Sequence, residues 1–62
     1  MKVIESYATN KGSVQVKHDH IDNEYRVEVY RGGKLYTPAT YFTEDKEDAL
    51  GTAKHMIAEE NK

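Results

Sequence analysis

The chain has no cysteine among its 62 residues. This absence excludes disulfide bonds and every zinc site that needs a thiolate ligand. A domain of this size buries only about 60% of the surface that its unfolded chain exposes, so disulfides, a metal or a partner subunit commonly support it. Without cysteine, we expect well-formed local structure or self-association to provide that support.

Long hydrophobic runs are also missing. No stretch approaches the roughly 18 apolar residues that a membrane-spanning helix requires. Met1–Ile4 is followed at once by Glu5, Ser6 and Tyr7 rather than by the apolar core of a signal peptide. We therefore expect a cytoplasmic protein with no membrane partner, folded as a single domain over residues 1–62.

The basic excess that marks most nucleic-acid-binding domains is absent as well. The formal net charge is −2. Residues 1–42 carry six Lys/Arg and five Asp/Glu, whereas residues 43–62 carry three and six. The negative charge is therefore concentrated in the C-terminal third, and no basic stripe runs along the chain.

The first two-thirds of the chain alternate between apolar and polar residues, which predicts β-strands. The predicted strands are Lys2–Ala8, Ser13–Asp19 and Glu24–Arg31, and the third alternates most regularly. Gly32 and Gly33 follow it and suit a two-residue hairpin turn, because both central positions of such a turn can require a positive φ.

The segment after this turn is a weaker strand. Lys34–Tyr36 leads into Pro38, the only proline in the chain, and proline cannot donate to a strand ladder. We therefore predict an edge strand that is broken near Pro38 and resumes over Ala39–Phe42.

The C-terminal third predicts one amphipathic helix. Thr43 is the expected N-cap, and the four acidic residues between positions 44 and 48 complement the positive end of the helix dipole. Gly51 interrupts the helix at a cost of about 1 kcal/mol relative to alanine. The apolar stripe with helical spacing consists of Ala49, Leu50, Ala53, Met56 and Ile57.

These elements predict an α+β fold, an antiparallel three- to four-stranded β-meander packed on one face by a single C-terminal α-helix. The opposite face of the sheet has no element left to cover it. The predicted core comprises Val14, Val16, Tyr25, Val27, Val29, Leu35 and Phe42 against Leu50, Ala53, Met56 and Ile57.

Few residues suggest metal or catalytic chemistry. His18 and His20 lie two residues apart on a strand, so their rings share a face, with His55 as a remote third ligand. No fourth ligand has a fixed spacing, which favours solvated or half-buried histidines. Ser6 and Ser13 lie in no nucleophile motif. We expect no metal, no cofactor and no enzymatic activity.

The uncovered sheet face is the predicted binding surface. Aromatic and basic residues are interleaved there with an acid, and aromatics and arginine provide most of the binding energy at protein interfaces. The candidate binding residues are Lys17, Arg26, Glu28, Tyr30, Arg31, Lys34 and Tyr36.

We expect these residues to serve a small non-enzymatic protein-binding module, of the accessory or inhibitor type encoded by phages and mobile elements. This expectation rests on an analogy of size and charge. The strands Lys34–Tyr36 and Lys2–Ala8 also offer edges to which a partner strand can add. The same surfaces suit a homo-oligomer.

Nucleic acid is the alternative ligand for this face. Bases would stack on Tyr30 and Tyr36 while lysine and arginine contact phosphates. The acidic side chains of Asp19, Glu24 and Glu28 on or near the same face weaken the electrostatic attraction, and ordinary cross-strand pairing explains the residues equally well.

Three short motifs bear on this alternative. They are Gly32–Lys34 at the hairpin turn, Tyr41–Thr43 before the helix, and Lys46–Ala49 with Ala53 within it. With them, residues 24–60 resemble the three-strand-plus-helix arm-type (AP2-like) DNA-binding domain at the N-terminus of many integrases. The resemblance implies that fold, and duplex DNA on the sheet face. That family's sheet is strongly basic and aromatic; the matching residues here are Lys17, Arg26, Tyr30 and Tyr36.

Overall fold

The computed structural model describes residues 1–62 and contains a five-stranded sheet and one long helix. This arrangement confirms the predicted α+β fold with a C-terminal helix. The elements in chain order are β1 (Lys2–Ala8), β2 (Gly12–Asp19), β3 (Glu24–Arg31), β4 (Lys34–Leu35), a 3-10 helix (Thr37–Ala39), β5 (Tyr41–Thr43) and α1 (Lys46–Glu60).

The sheet is antiparallel, with strand order β1-β2-β3-β4, and β5 also pairs with β3. β4 pairs with Tyr30 and Arg31 at one end of β3, while β5 pairs with Tyr25–Val27 at the other. β4 and β5 are thus two halves of one edge strand, interrupted by the 3-10 helix that contains Pro38. The predicted break in this strand is confirmed, and β1 forms the opposite edge.

Glycines permit two tight features of the sheet. Gly32 and Gly33 have φ angles of 58° and 81°, as expected for the β3–β4 hairpin. Gly12 lies directly opposite Arg31, and a Cβ atom there would overlap the backbone carbonyl of Tyr30. Only glycine therefore fits where β2 begins.

The core lies between α1 and the central strands. Four valines from β2 and β3 are fully buried because they alternate onto the helix-covered face, as predicted. Ala49 and Ala53 are buried against them, and their small side chains let the helix approach the sheet closely. Half-buried residues surround this centre: Ile4, Tyr25, Ala39, Leu50, Met56 and Ile57.

The prediction that Leu35 and Phe42 belong to the core is wrong. Leu35 pairs with Tyr30 and Phe42 pairs with Arg26, so both point away from the helix. Their exposed fractions are 42% and 52%. Pairing with β3 fixes the orientation of these short strands, and it overrides the apolar character of the two residues.

The predicted helix cap is also wrong. The N-cap is Asp45, whose side chain accepts a hydrogen bond from the backbone N–H of Glu47 at 3.0 Å. Thr43 is the last residue of β5, and its hydroxyl accepts from the backbone N–H of Asp45 at 3.2 Å. The helix therefore begins two residues later than a Thr43 cap would allow.

A β-bulge in β1 was not expected from the sequence. The register shifts between Val3 and Glu5, which leaves Ile4 as the extra residue. Ile4 packs against the core, whereas Val3 is exposed. No helix in the structure combines the length and apolar character needed to cross a membrane.

Candidate functional site

The sheet surface opposite α1 carries the candidate site, and we call it the bare face. The register of β2 with β3 defines its centre, since residues directly opposite each other share a face. Its members are Ser13, Gln15, Lys17, Asp19, Glu24, Arg26, Glu28 and Tyr30, with Val3, Leu35 and Phe42 along the margins.

A buried carboxylate lies at the centre of the bare face. Glu28 is only 3% exposed although no helix or strand covers it. It forms an ion pair with Lys17 and accepts a hydrogen bond from the Tyr30 hydroxyl at 2.9 Å. The Lys17 ammonium also donates to the Tyr30 oxygen at 3.0 Å. These three side chains form a closed hydrogen-bonded network.

The network keeps both charges in place at neutral pH. Burial alone would raise the pKa of Glu28, but hydrogen bonds from Lys17 and Tyr30, aided by nearby positive charge, outweigh it and the pKa is lowered. The hydrogen bond with Glu28 is the main reason that the pKa of Lys17 is raised. Lys17 is therefore occupied by Glu28 and contributes little free positive charge.

Arg26 is held differently. Its Nη1 lies 3.6 Å from a Glu28 oxygen, beyond good hydrogen-bonding distance, and its buried Nε has no partner. The guanidinium lies over the half-exposed ring of Phe42, 5.0 Å from the ring centroid. Arg26 and Phe42 form an arginine–aromatic pair on the bare face, and the partly exposed guanidinium has only the long contact to Glu28.

Arg31 and Tyr36 do not lie on the bare face. Arg31 lies two residues after Val29 on β3 and therefore shares its helix-facing side of the sheet. There its Nε and Nη2 donate to the two carboxylate oxygens of Glu60 at 2.7 and 2.6 Å. Its guanidinium lies 3.8 Å from the centroid of the Tyr36 ring. We call this group (Arg31, Tyr36 and Glu60) the clamp, because it ties the end of α1 to the sheet.

The predicted binding set is therefore divided. Lys17, Arg26, Glu28 and Tyr30 share the bare face, whereas Arg31 and Tyr36 belong to the clamp, and Lys34 pairs with Arg31. The Gly32-Gly33 turn in the sequence already indicates which of these residues lie on the bare face. A two-residue turn pairs Arg31 with Lys34, which places Leu35 rather than Tyr36 beside Tyr30.

Sequence reasoning missed the apolar margin of the bare face. Val3, Leu35 and Phe42 are exposed there, next to Lys17, Tyr30 and Arg26 respectively. The hairpin register signals Leu35 in the sequence. Phe42 follows the 3-10 helix, and no sequence pattern fixes its phase.

The three histidines lie on different elements: His18 on β2, His20 after it and His55 on α1. The His18 ring stacks on Tyr25, with ring centroids 4.4 Å apart, and lies 6.4 Å from the His20 ring. His55 is exposed on α1 and lies near Glu59. The structure has no group of three or more His, Asp or Glu side chains placed to hold a metal ion.

Comparisons with protein-family models, with curated proteins and with solved structures found no match for this chain.

Proposed function

We propose that this chain is a small non-enzymatic protein-binding module, of the accessory or inhibitor type, that binds its partner through the bare face. The observation that carries the proposal is the pair formed by Arg26 and Phe42. Both side chains lie on a sheet surface that no other element covers. Arginine and large aromatics are the residues that most often dominate binding energy at protein interfaces.

The Glu28 network supports this role because it is complete without a partner. Lys17 and Tyr30 already satisfy the carboxylate. Covering the face would not leave that charge unpaired, and the side chains are already ordered. Binding therefore costs less in desolvation and in conformational entropy than it would on a charged surface whose side chains are disordered.

The charge distribution favours a protein over duplex DNA. Glu28 compensates Lys17, and Asp19 and Glu24 add negative charge at one end of the same face. A phosphate backbone needs several free cations along its path. The resemblance to arm-type domains leaves DNA as the competing ligand, and the same experiment can detect it.

Affinity capture with paired variants tests the proposal. The full chain, immobilised through a C-terminal tag, is exposed to nuclease-treated lysate of its source cells, alongside Phe42→Ser and Arg26→Ala. We expect a specific protein to be retained by the wild type and lost, at least tenfold, with either variant, since hot-spot truncations cost about 2 kcal/mol or more.

Tyr36→Ser is the matched control, because it removes an exposed aromatic that stacks on an arginine of the clamp. It should leave capture unchanged. Equal capture by wild type, Phe42→Ser and Arg26→Ala would contradict the bare face as the interface. Capture of DNA alone from untreated lysate, lost as salt is raised, would support the DNA alternative instead.

A further inference from the structure

Two rows of like charge lie side by side on the bare face. Lys17 is directly opposite Arg26, and Asp19 is directly opposite Glu24, two residues further along the same strands. Like charges placed directly opposite each other on one face are destabilising. Each row therefore needs countercharge from elsewhere.

Only the basic row finds that countercharge within the monomer. Glu28 pairs with Lys17 and lies near Arg26. Neither Asp19 nor Glu24 forms an ion pair, although Asp19 Oδ1 accepts hydrogen bonds from the backbone N–H groups of Ile21 at 3.0 Å and Asp22 at 3.5 Å. The acidic row is left facing solvent without a cation.

The order of the rows is self-complementary. A two-fold axis can run parallel to the bare face, perpendicular to the strands and midway between the two rows. Rotation about this axis stacks β2 on β2 and β3 on β3 of the second copy, and it reverses the direction of the strands. It places Asp19 over Lys17 of the second copy and Glu24 over Arg26 of the second copy, and the reverse contacts follow by symmetry.

We propose that the bare face binds a second copy of this chain, with the acidic row of each copy on the basic row of the other. The inference rests on the proposed function, because it names a protein partner for the same surface. Because Glu28 already compensates Lys17, the attraction rests mainly on Arg26, whose side chain is 32% exposed and whose Nη1 approaches Glu28 only at 3.6 Å.

Apolar side chains flank the basic row at both ends. Val3 lies opposite Lys17 and Phe42 lies opposite Arg26, so one row reads, across the sheet, Val3, Lys17, Arg26, Phe42. Both apolar residues are about half exposed in the monomer. Covering them in a dimer buries apolar area and limits the access of water to the ion pairs, which strengthens those pairs.

A charge-swap experiment tests this arrangement. Sedimentation equilibrium measures the dimer dissociation constant of the wild type, of Glu24→Arg and of Arg26→Glu. Each variant places like charges at two symmetric contacts, and we expect each to weaken the dimer at least about tenfold. An equimolar mixture of the two variants restores opposite charges at both contacts and should recover a wild-type-like heterodimer.

Matched charge reversals on the outer surface of α1 are the controls. Glu59→Arg and Lys54→Glu change the net charge equally but lie away from the bare face, and they should leave the dissociation constant within about twofold. Amide NMR spectra that retain the shifts of the core valines would show that each variant folds. Should Arg26→Glu fail to fold, Glu24→Arg and the salt dependence of the wild-type dimer still decide the question, because the ion pairs predict weaker association at higher salt.

Three results would overturn the inference. They are a wild type that stays monomeric up to about 1 mM, a dimer indifferent to Glu24→Arg, or a variant mixture that fails to re-associate although both variants fold. A monomeric wild type would leave the proposed function standing if capture of another protein still depends on Phe42. Loss of that dependence would instead remove the bare face as an interface altogether.

Discussion

Two arginines on β3 have similar neighbours but different roles. Arg31 and Arg26 each lie against an aromatic ring and near a glutamate, on opposite faces of the sheet. Arg31 binds both oxygens of Glu60 and stacks closely on its ring. Arg26 approaches Glu28 only at 3.6 Å.

The difference lies in how the carboxylate is shared. Glu60 bonds to Arg31 alone, so the pair is bidentate and locks α1 to the sheet. Glu28 is already engaged by Lys17 and Tyr30, and Arg26 reaches it only through the 3.6 Å contact from Nη1. The residue type alone therefore does not tell a structural arginine from one that is available for binding. What differs is whether other side chains already bind the neighbouring glutamate.

The largest expected effect comes from opening the helix-covered face. Val27 lies on β3 beside Arg26 and is fully buried under α1. Val27→Ala should lower the free energy of unfolding by about 2–3 kcal/mol, because it removes buried apolar surface and leaves a cavity. Phe42→Ala, on the bare face, should cost less than about 1 kcal/mol. Urea denaturation of both variants measures the contrast, and equal losses would contradict the assignment of the two faces.

A smaller effect should follow from removing the shared carboxylate. Glu28→Gln keeps the shape of the side chain but leaves Lys17 and Arg26 opposite each other without a countercharge. We expect a loss of about 1–2 kcal/mol in the free energy of unfolding.

Glu60→Gln should instead loosen the end of α1 selectively. Hydrogen exchange would then be faster at Asn61 and at Asn10, whose backbone N–H donates to the Asn61 side chain. Hydrogen exchange that is uniformly faster in both Glu28→Gln and Glu60→Gln would contradict a selective role of Glu60 at the end of α1.

Lowering the pH should remove the stabilisation that the charged carboxylates of Glu28 and Glu60 both provide. The pKa values of Glu28 and Glu60 are lowered from 4.5, so their charged forms stabilise the folded state at neutral pH. This contribution is intact above about pH 4.5 and is lost as the pH falls through the lowered values. Urea midpoints measured from pH 7 to below pH 3 should drop for the wild type, and less steeply for Glu28→Gln. An identical pH profile for that variant would show that Glu28 gains nothing from its network.

The smallest expected effect is a gain in stability with no change in binding. Gly51 lies on the exposed side of α1, and a Cβ atom there meets nothing within 4 Å. Gly51→Ala should raise the free energy of unfolding by up to about 1 kcal/mol through helix propensity. Capture of the partner should stay at the wild-type level, the opposite of Phe42→Ser. Altered capture would indicate that α1 takes part in binding.

The sequence was sufficient for features with a strong local signal. The alternation of Val14, Val16, Val27 and Val29 identified the buried face, and Gly32-Gly33 identified the hairpin. Long alternating strands fix their own orientation, because a slip of one residue would expose every valine.

Features that depend on a neighbouring strand were not predicted. Phe42 lies on a three-residue strand whose orientation comes from its pairing with Arg26. The burial of Glu28 arises because Lys17 and Tyr30 cover it, which the pattern of a single strand cannot reveal. Tyr36 does not share the face of Tyr30, because the two-residue turn pairs Tyr30 with Leu35 and leaves Tyr36 stacked on Arg31.

Site-specific photo-crosslinking in the source cells shows directly whether the bare face is a protein interface. The photoreactive amino acid p-benzoylphenylalanine replaces Phe42 in one variant and Tyr36 in the other, so that each face carries the same probe. We expect a discrete protein adduct from position 42, either a second copy or another protein, and little from position 36. Equal adduct yields from both positions, or adducts with nucleic acid alone, would contradict the bare face as a protein interface.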